Sequence, residues 1–460
     1  MKKFILFFSS AIFWMAGCST DTISIPSIAK EGNEEFKFNY NILHYYYYKA
    51  EEELRTPEYY LNNPDTILVN PKYADVAEVV AMYLGMSDLF TFYYPSQYFD
   101  AIQSSITESK TNDKSFGMEV DSSLQVKYVY RVGPAATAGV HRGDQIIALD
   151  SIPLNDDSTN AFDKYNSILE QKTKDNFLLT VLQNGEARDF SLTRESLLTP
   201  TVYLDSIDSV PVIRITEFSN ITNGFGEDGS YAEFQDVLNQ TDGAKSTVLD
   251  LRGNPGGSIS LCTQMAGELL SKGDTIIVEK NWKRESPEKT FSTLYTVNEK
   301  DGMAKDRYVV LMLDSNSASC AEMFAAALTA NIKAPIVGTN SFGKGIGQYY
   351  IQTPENGFGV ITAIQILDKN GESFHSYGFV PDFDIPDSVS ALVKAVELAK
   401  AATFKRQAGY NPEVQTYWTS SKYKAIPRTP EESLKLLLRG MALKKLDYLD
   451  ALKSPKIGDI

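Results

Sequence analysis

The sequence predicts a multidomain α/β protein (α+β in part) built around a mixed, mostly parallel sheet. Three observations carry this. The chain has 460 residues, 43% hydrophobic and 22% charged, enough for two to four domains with ordinary cores. Over residues 198–390 short apolar runs alternate with helix-patterned segments, as parallel strands joined by helical crossovers do. Over 112–195 short strands follow one another closely, which marks a separate, small β-rich module.

Taken in chain order, MKKFILFFSSAIFWMAGC has a basic start, an apolar run and small residues before Cys18. This is the pattern of an export signal over 1–17, too short and wrongly flanked to span a membrane. Ala16-Gly17-Cys18 resembles a bacterial lipobox, with Met15 where leucine is usual. It implies lipidation of Cys18, a tether over 18–35, and an exported lipoprotein of the bacterial envelope held at the periplasmic face of a membrane. A plain signal with an incidental cysteine is the other reading. Residues 36–110, rich in Tyr and Phe (HYYYYKAEEEL, DLFTFYYPSQYFDAI), carry helical apolar spacing and are read as a helical region, with Tyr45–Tyr48 as packing.

The strands FGMEV, LQVKYVYRV, DQIIALD and NFLLTVLQ come next, with a turn, a short helix and a turn at GPAATAGVHRGD. In the α/β core VPVIRITEF, STVLDLRGN, RYVVLMLD and PIVGTN read as strands, and YAEFQDVLNQ, SLCTQMAGELL and AEMFAAALTA as helices. Residues 391–460 read as helical, with a capping box at Thr429-Pro430-Glu431-Glu432.

Composition removes several classes. A net charge of −15 with no basic cluster argues against nucleic-acid binding. His44, His141 and His375 form no metal-ligand spacing with the cysteines, so neither a metal nor another cofactor is expected. Cys262 and Cys320 lie in apolar helical context, where buried thiols and a disulfide both fit.

Chemistry concentrates in three turns. GTNSFGKGIGQ (Gly338–Gln348) has the glycine and lysine spacing of a phosphate-binding loop, but Gly345 replaces the Ser/Thr that would ligate Mg²⁺, and the β-forming IGQYYIQT follows where a helix should start. If 342–350 are extended, Gly343, Gly345 and Gly347 share one face, open to another backbone, and Lys344, Ile346 and Gln348 share the other. Lys344 and Gln348 would then stand roughly 13 Å apart unless the strand kinks. In DSNSASCAEMF the serines Ser315, Ser317 and Ser319 lie in a strand-to-helix connection, suited either to helix capping or to stabilising an alkoxide. Asp250-Leu251-Arg252-Gly253-Asn254-Pro255-Gly256-Gly257 ends another strand with backbone N–H groups suited to an anion.

Two resemblances follow. Phe116-Gly117-Met118, with Pro134-Ala135, Gly139 and Gly143-Asp144, resembles the PDZ domain, which implies capture of a peptide's C-terminus by the Phe116–Met118 loop over 112–195. S-A-S-x-A-E, G-K-G-x-x-Q, D-L-R-G-N-P-G-G and Gly378-Phe379-Val380-Pro381-Asp382 together resemble the carboxyl-terminal processing, or tail-specific, proteases over about 86–387. The resemblance implies Ser319 as nucleophile, Lys344 as general base, Gln348 as the residue orienting the lysine, and an oxyanion hole from the N–H of Cys320 and that of Gly256 or Gly257. Cys320 stands where the family has alanine, and ILDKNGESF replaces its Tyr-x-Pro-x-Gly stretch.

The function expected is a serine endopeptidase acting on protein or peptide substrates with free C-termini, through an acyl-enzyme and with no cofactor. The alternatives are a catalytically inactive, PDZ-containing peptide-binding lipoprotein with a protease-like core, and another hydrolase or transferase on this fold. A Ser-His-Asp triad is the weaker mechanism, because the three histidines lie outside these motifs.

Overall fold

The computed structural model describes residues 6–8, 28–62, 75–88, 90–96, 111–154, 160–170, 174–226, 228–282 and 291–401. Cys18 with its lipobox, most of the tether and the capping box at 429–432 lie outside the described residues. The chain divides into two units, one of residues 1–108, 204–218 and 237–460, the other of 109–203 and 219–236.

The first unit holds two sheets. In one, Val202–Ile207, Val210–Ile215, Ser246–Asp250, Tyr308–Leu313, Ile336–Gly338 and Phe383–Asp384 lie side by side in that order, the last five mutually parallel. Tyr308–Leu313 (YVVLML) is buried from Val309 onward, the unbroken apolar run that a strand covered on both faces requires. Helix Ser388–Ala401 lays Ala391, Ala395, Val396 and Ala399 against Val248, Val310, Met312 and Val337; this small-residue stripe lets helix and sheet approach closely.

The second sheet is antiparallel. Ile346–Gln352, Phe358–Leu367, Thr275–Trp282 and Phe291–Val297 follow one another across it. The mixed character of the core therefore comes from two sheets. Phe358–Leu367 is nearly all buried, so it lacks the alternation that separates antiparallel from parallel strands in a sequence. Leu6–Phe8, inside the segment read as an export signal, lies antiparallel along Tyr349–Ile351.

The N-terminal region does contain helices, Glu34–Tyr46, Ala50–Glu53, Pro57–Asn62 and Ala77–Leu84. Asn33 caps the first by accepting the Phe36 N–H at 2.7 Å. The helical reading of 36–110 fails at Phe92–Tyr94, which is a strand paired with Phe358–Val360, in keeping with its aromatic composition. Glu35, fully buried, ties the region down by accepting from Tyr93 Oη at 2.6 Å and from the Glu355 N–H at 2.9 Å. Phe36, Leu43, Met82 and Tyr93 form one hydrophobic core with Ile351, Ile361 and Ala363.

The second unit is β-rich. Gln145–Leu149, Ile152–Pro153, Asn176–Gln183 and Glu186–Thr193 form a four-stranded sheet, Met118–Val120 pairs with Val126–Val129, and Thr111–Ser115 pairs with Glu195–Leu198. GPAATAG folds as read, with helix Pro134–Ala138 closed by Gly139 at φ +90°. A second helix, Ala161–Leu169, joins Phe116, Met118, Val126, Leu149 and Phe177 in the core through Tyr165 and Ile168.

Candidate active site

Three strand ends of the first unit meet around Ser319. The turn from Leu313 to the helix Cys320–Ile332 is stapled by Ser317, whose Oγ receives the Asp314 N–H at 2.9 Å and donates to the Leu251 carbonyl at 2.9 Å. Ser317 thus serves the turn, and Ser315 is exposed. Ser319 stands at the helix N-terminus with φ +54° and ψ −116°. A residue with a β-carbon pays roughly 1–3 kcal/mol to sit in so sparsely populated a region, so its neighbours must impose it. The result is a sharp strand–turn–helix elbow that presents a serine at the positive end of a helix.

Glu322 imposes it. The side chain is wholly buried, and each carboxylate oxygen has two donors. One oxygen accepts the Ser319 N–H at 3.0 Å and the Lys344 N–H at 2.7 Å; the other accepts Ser341 Oγ at 2.6 Å and the Gly343 N–H at 2.5 Å. Burial pushes the Glu322 pKa up, and the four hydrogen bonds oppose that shift. With four donors converging on its two oxygens, the site suits the acceptor-only carboxylate form.

The lysine segment is shaped by its glycines. Gly343 has φ +92°, and a β-carbon on it would lie 2.9 Å from the Gly378 nitrogen; one on Gly345 would lie 2.9 Å from the His375 nitrogen. A second backbone does approach this face, as the glycine row predicts. The extended run is shorter than expected, because the strand begins at Ile346. A register shift against Phe358–Leu367 falls between Gly347 and Gln348, where a kink is needed to bring Gln348 toward Lys344.

Lys344 is 5% exposed, and its Nζ lies 5.3 Å from the Phe90 ring centroid. Burial pulls its pKa down to about 8, against the opposing pull of Cys320, Asp88 and Glu322. Gln348 is fully buried; its Nε2 donates to Thr362 Oγ1 at 3.3 Å, and its Oε1 has no hydrogen-bond partner among the described residues.

The glycine turn lies against the serine. A β-carbon on Gly256 would sit 2.9 Å from Ser319 Cβ and 3.0 Å from the Cys320 nitrogen, so only glycine fits. The geometry separates the two candidate donors. The Gly256 N–H is committed to Asn254 Oδ1 at 2.8 Å, while no hydrogen bond engages the Gly257 N–H among the described residues. Gly257 is therefore the better partner for Cys320 at an anion site, and Gly256 serves close approach. Cys262 and Cys320 are both buried free thiols; burial, with the Cys320 thiol beside it, pushes the Cys262 thiol up.

Two groups near Lys344 escape the motif reading. Asp88 carries part of the electrostatic pull on the lysine. His375 packs its ring 6.5 Å from that of Phe90, with a buried Nδ1 that has no hydrogen-bond partner among the described residues, and burial pushes its pKa down. Neither has a local signal, since the chain brings each in from a distance. His141 lies in the second unit, bonded to Gln183 through Nδ1 at 2.9 Å.

In that second unit Phe116 and Met118 are buried, and Gly117 has φ +76°. The Gly117 N–H, one of the amides expected to capture a carboxylate, already donates to Ser115 Oγ at 2.9 Å.

The candidate site thus brings together a strained serine elbow, a buried lysine of lowered pKa and a glycine turn whose Gly257 N–H has no hydrogen bond among the described residues. Residues 209–385, which contain all three turns, match the model of peptidase family S41. The chain is similar to a "Probable CtpA-like serine protease" of Staphylococcus aureus (strain COL), 28% identical over 268 residues, 58% of this chain and 50% of the relative. The protein of the same name in Staphylococcus haemolyticus (strain JCSC1435) is 26% identical over the same shares. The chain thus spans about half the length of these relatives. Among solved structures, the photosystem II D1 C-terminal processing protease aligns over 78% of this chain and 95% of its own, at 16% identity and a TM-score of 0.46.

Glu322→Gln places an amide N–H₂ against N–H donors. It should lower stability by roughly 2–4 kcal/mol and abolish labelling of Ser319 by a small acylating probe. Thermal melting and mass spectrometry of the labelled protein check both; a stable variant that labels at the wild-type rate would refute this role.

Proposed function

We propose that this protein is a serine endopeptidase in which Ser319 is the nucleophile and Lys344 the base, acting on protein substrates with free C-termini. The observation that carries the reading is the shared carboxylate: Glu322 receives the backbone N–H groups of both Ser319 and Lys344, so one buried group sets both partners. The lowered pKa of Lys344 supports its role as the base. A lysine pulled to about 8 supplies free amine near neutral pH, which an unperturbed lysine does not.

In this mechanism the neutral Lys344 amine takes the Ser319 hydroxyl proton as Oγ attacks the substrate carbonyl. The oxyanion lies toward the N–H groups of Cys320 and Gly257 at the helix N-terminus. The resulting Lys344 ammonium protonates the leaving amine, the C–N bond breaks and an acyl-enzyme remains. Water attacks it with its proton passing to Lys344, the acyl C–Oγ bond breaks, and the Lys344 ammonium returns that proton to Oγ, regenerating Ser319 and the neutral amine. Gln348, through its open Oε1, accepts from the lysine amine and fixes it.

The second unit serves as the reader of C-termini. Met118–Val120 pairs only with Val126–Val129 among the described strands, which suits addition of a peptide strand at its other edge. Carboxylate capture by the Gly117 amide requires Ser115 Oγ to yield it. Export and lipidation at Cys18 would place the enzyme on the periplasmic face of a membrane.

Release of fluorescence from an unstructured protein with an apolar C-terminus should vanish in Ser319→Ala; retained cleavage would exclude Ser319 as nucleophile. Lys344→Arg and Lys344→Ala should each lose activity by about a thousandfold, because arginine cannot be deprotonated in a protein. The wild-type kcat/KM should rise with pH through about 8, since the deprotonated lysine is the active form, and this limb should persist in His375→Gln. Robust turnover by Lys344→Arg would end the base assignment.

Gly117→Val, at φ +76° and with Gly133 Cα 3.2 Å from the new β-carbon, should weaken cleavage of substrates with free C-termini while Ser319 still labels. Equal cleavage of C-terminally free and blocked substrates by the wild type would remove the case for a C-terminus reader. Cys18→Ser should move the protein from the detergent to the aqueous phase on phase separation; a wild type already aqueous would rule out the anchor.

A further inference from the structure

The relay behind Gln348 does not end at Thr362. Thr362 Oγ1 also makes a short hydrogen bond to Asp88 Oδ2. Asp88 is 7% exposed, and Thr362 is fully buried. The same carboxylate oxygen accepts Thr91 Oγ1 at 2.6 Å, and the other oxygen accepts the Phe90 N–H at 3.1 Å. Thr91 Oγ1 in turn receives the Thr362 N–H at 3.0 Å, closing a ring between 88–91 and the strand Phe358–Leu367.

The bond directions follow from a carboxylate at Asp88. An ionised carboxylate only accepts, so Thr362 must give its single hydroxyl proton to Asp88. The hydroxyl then has only lone pairs to offer Gln348, which must present its amide N–H₂ to Thr362. The Gln348 carbonyl oxygen is thereby left as the open acceptor of the relay, buried and without a partner among the described residues. An amide with no such partner would turn over freely and offer N–H₂ to the amine about as often.

We propose that Asp88 is a positioning residue for the base, acting through Thr362 to orient Gln348 so that its Oε1 accepts from the Lys344 amine. The inference rests on the serine–lysine reading above and deepens it. It also gives the N-terminal region a task in that site, since Asp88 lies outside the S41 match at 209–385. The groups that bear on Lys344 are Cys320, Asp88, Glu322 and His375, with the Phe90 ring over the amine; Tyr47 and Tyr48 bear on Asp88.

The test uses the full chain and the fluorescent protein substrate. Asp88→Asn removes a charge that favours the ammonium and frees the relay to reverse. Its plateau kcat should fall about tenfold or more with little change in KM, and the acid limb of kcat/KM should move to lower pH. Thr362→Val keeps the Asp88 charge and breaks the relay, so the plateau should fall comparably with the limb held near the wild-type position. Thr362→Ser restores the hydroxyl and should recover most of the loss.

An Asp88→Asn enzyme with the wild-type plateau and limb overturns the proposal. So does a Thr362→Ser enzyme as impaired as Thr362→Val, which would mean that the threonine methyl packs and its hydroxyl does nothing. If Asp88→Asn does not melt as a folded protein, the Thr362 pair decides alone. Failure of the underlying reading is separate: cleavage would then survive Ser319→Ala or Lys344→Arg, whatever Asp88 does.

Discussion

The candidate site depends on one desolvated carboxylate. Burying Glu322 costs several kcal/mol unless its oxygens are fully hydrogen-bonded, and the fold meets that demand with three backbone N–H groups and a serine hydroxyl. Because the donors come from the serine elbow and the lysine loop, satisfying Glu322 fixes both segments at once. Displacing either leaves a buried charge short of a partner. The backbone strain at Ser319 is affordable in these terms: relaxing φ would carry its N–H away from Glu322. Ser341 extends the grip, since its Oγ also receives the Phe379 N–H at 2.6 Å and so draws the 374–379 loop onto the lysine loop.

A second constraint is space. For the lysine amine to lose its proton near neutral pH it must lie out of water, which requires protein on every side. The backbone of residues 375–378 closes one side by lying where β-carbons on Gly343 and Gly345 would be. Phe90 closes another. The glycine-rich loop, so like a phosphate cradle in sequence, thus works in the opposite sense here. Its missing side chains admit a second backbone and expel solvent, where a phosphate loop turns its N–H groups to an anion.

How much of this the sequence discloses depends on the distance over which each feature is decided. Ser319 at a strand-to-helix turn, the glycines around Lys344 and the close approach at Gly256 are local, and the motifs carry them. The choice between Gly256 and Gly257 is not local, because it turns on Asn254 folding back to take the Gly256 N–H. Ser317 and Ser319 look alike in DSNSAS; only the contact of Ser317 with Leu251, from another strand end, assigns it to the turn. The two sheets cannot be separated by pattern, since strands buried on both faces look the same whichever way they run. Asp88 meets Thr362 across 274 positions, and nothing near either residue points to the other.

That separation bears on what the folding unit is. The S41 match begins at residue 209, yet the strand Phe358–Leu367, which carries Thr362 beside Gln348, takes Phe92–Tyr94 as a further partner. The same strand shares its core with Phe36, Leu43 and Met82, and Glu35 receives the N–H of Glu355 in the turn before it. Residues 34–62, 75–88, 90–94 and 346–367 are therefore one packed body made from sequence-distant pieces. Closing it requires loop-closure entropy to be met before these contacts form, so the Lys344 end of the candidate site should be among the last parts to assemble. Glu322 ties the Ser319 elbow to the Lys344 loop, so the candidate site is complete only once the distant pieces around Lys344, Asp88 and Phe90 among them, have packed.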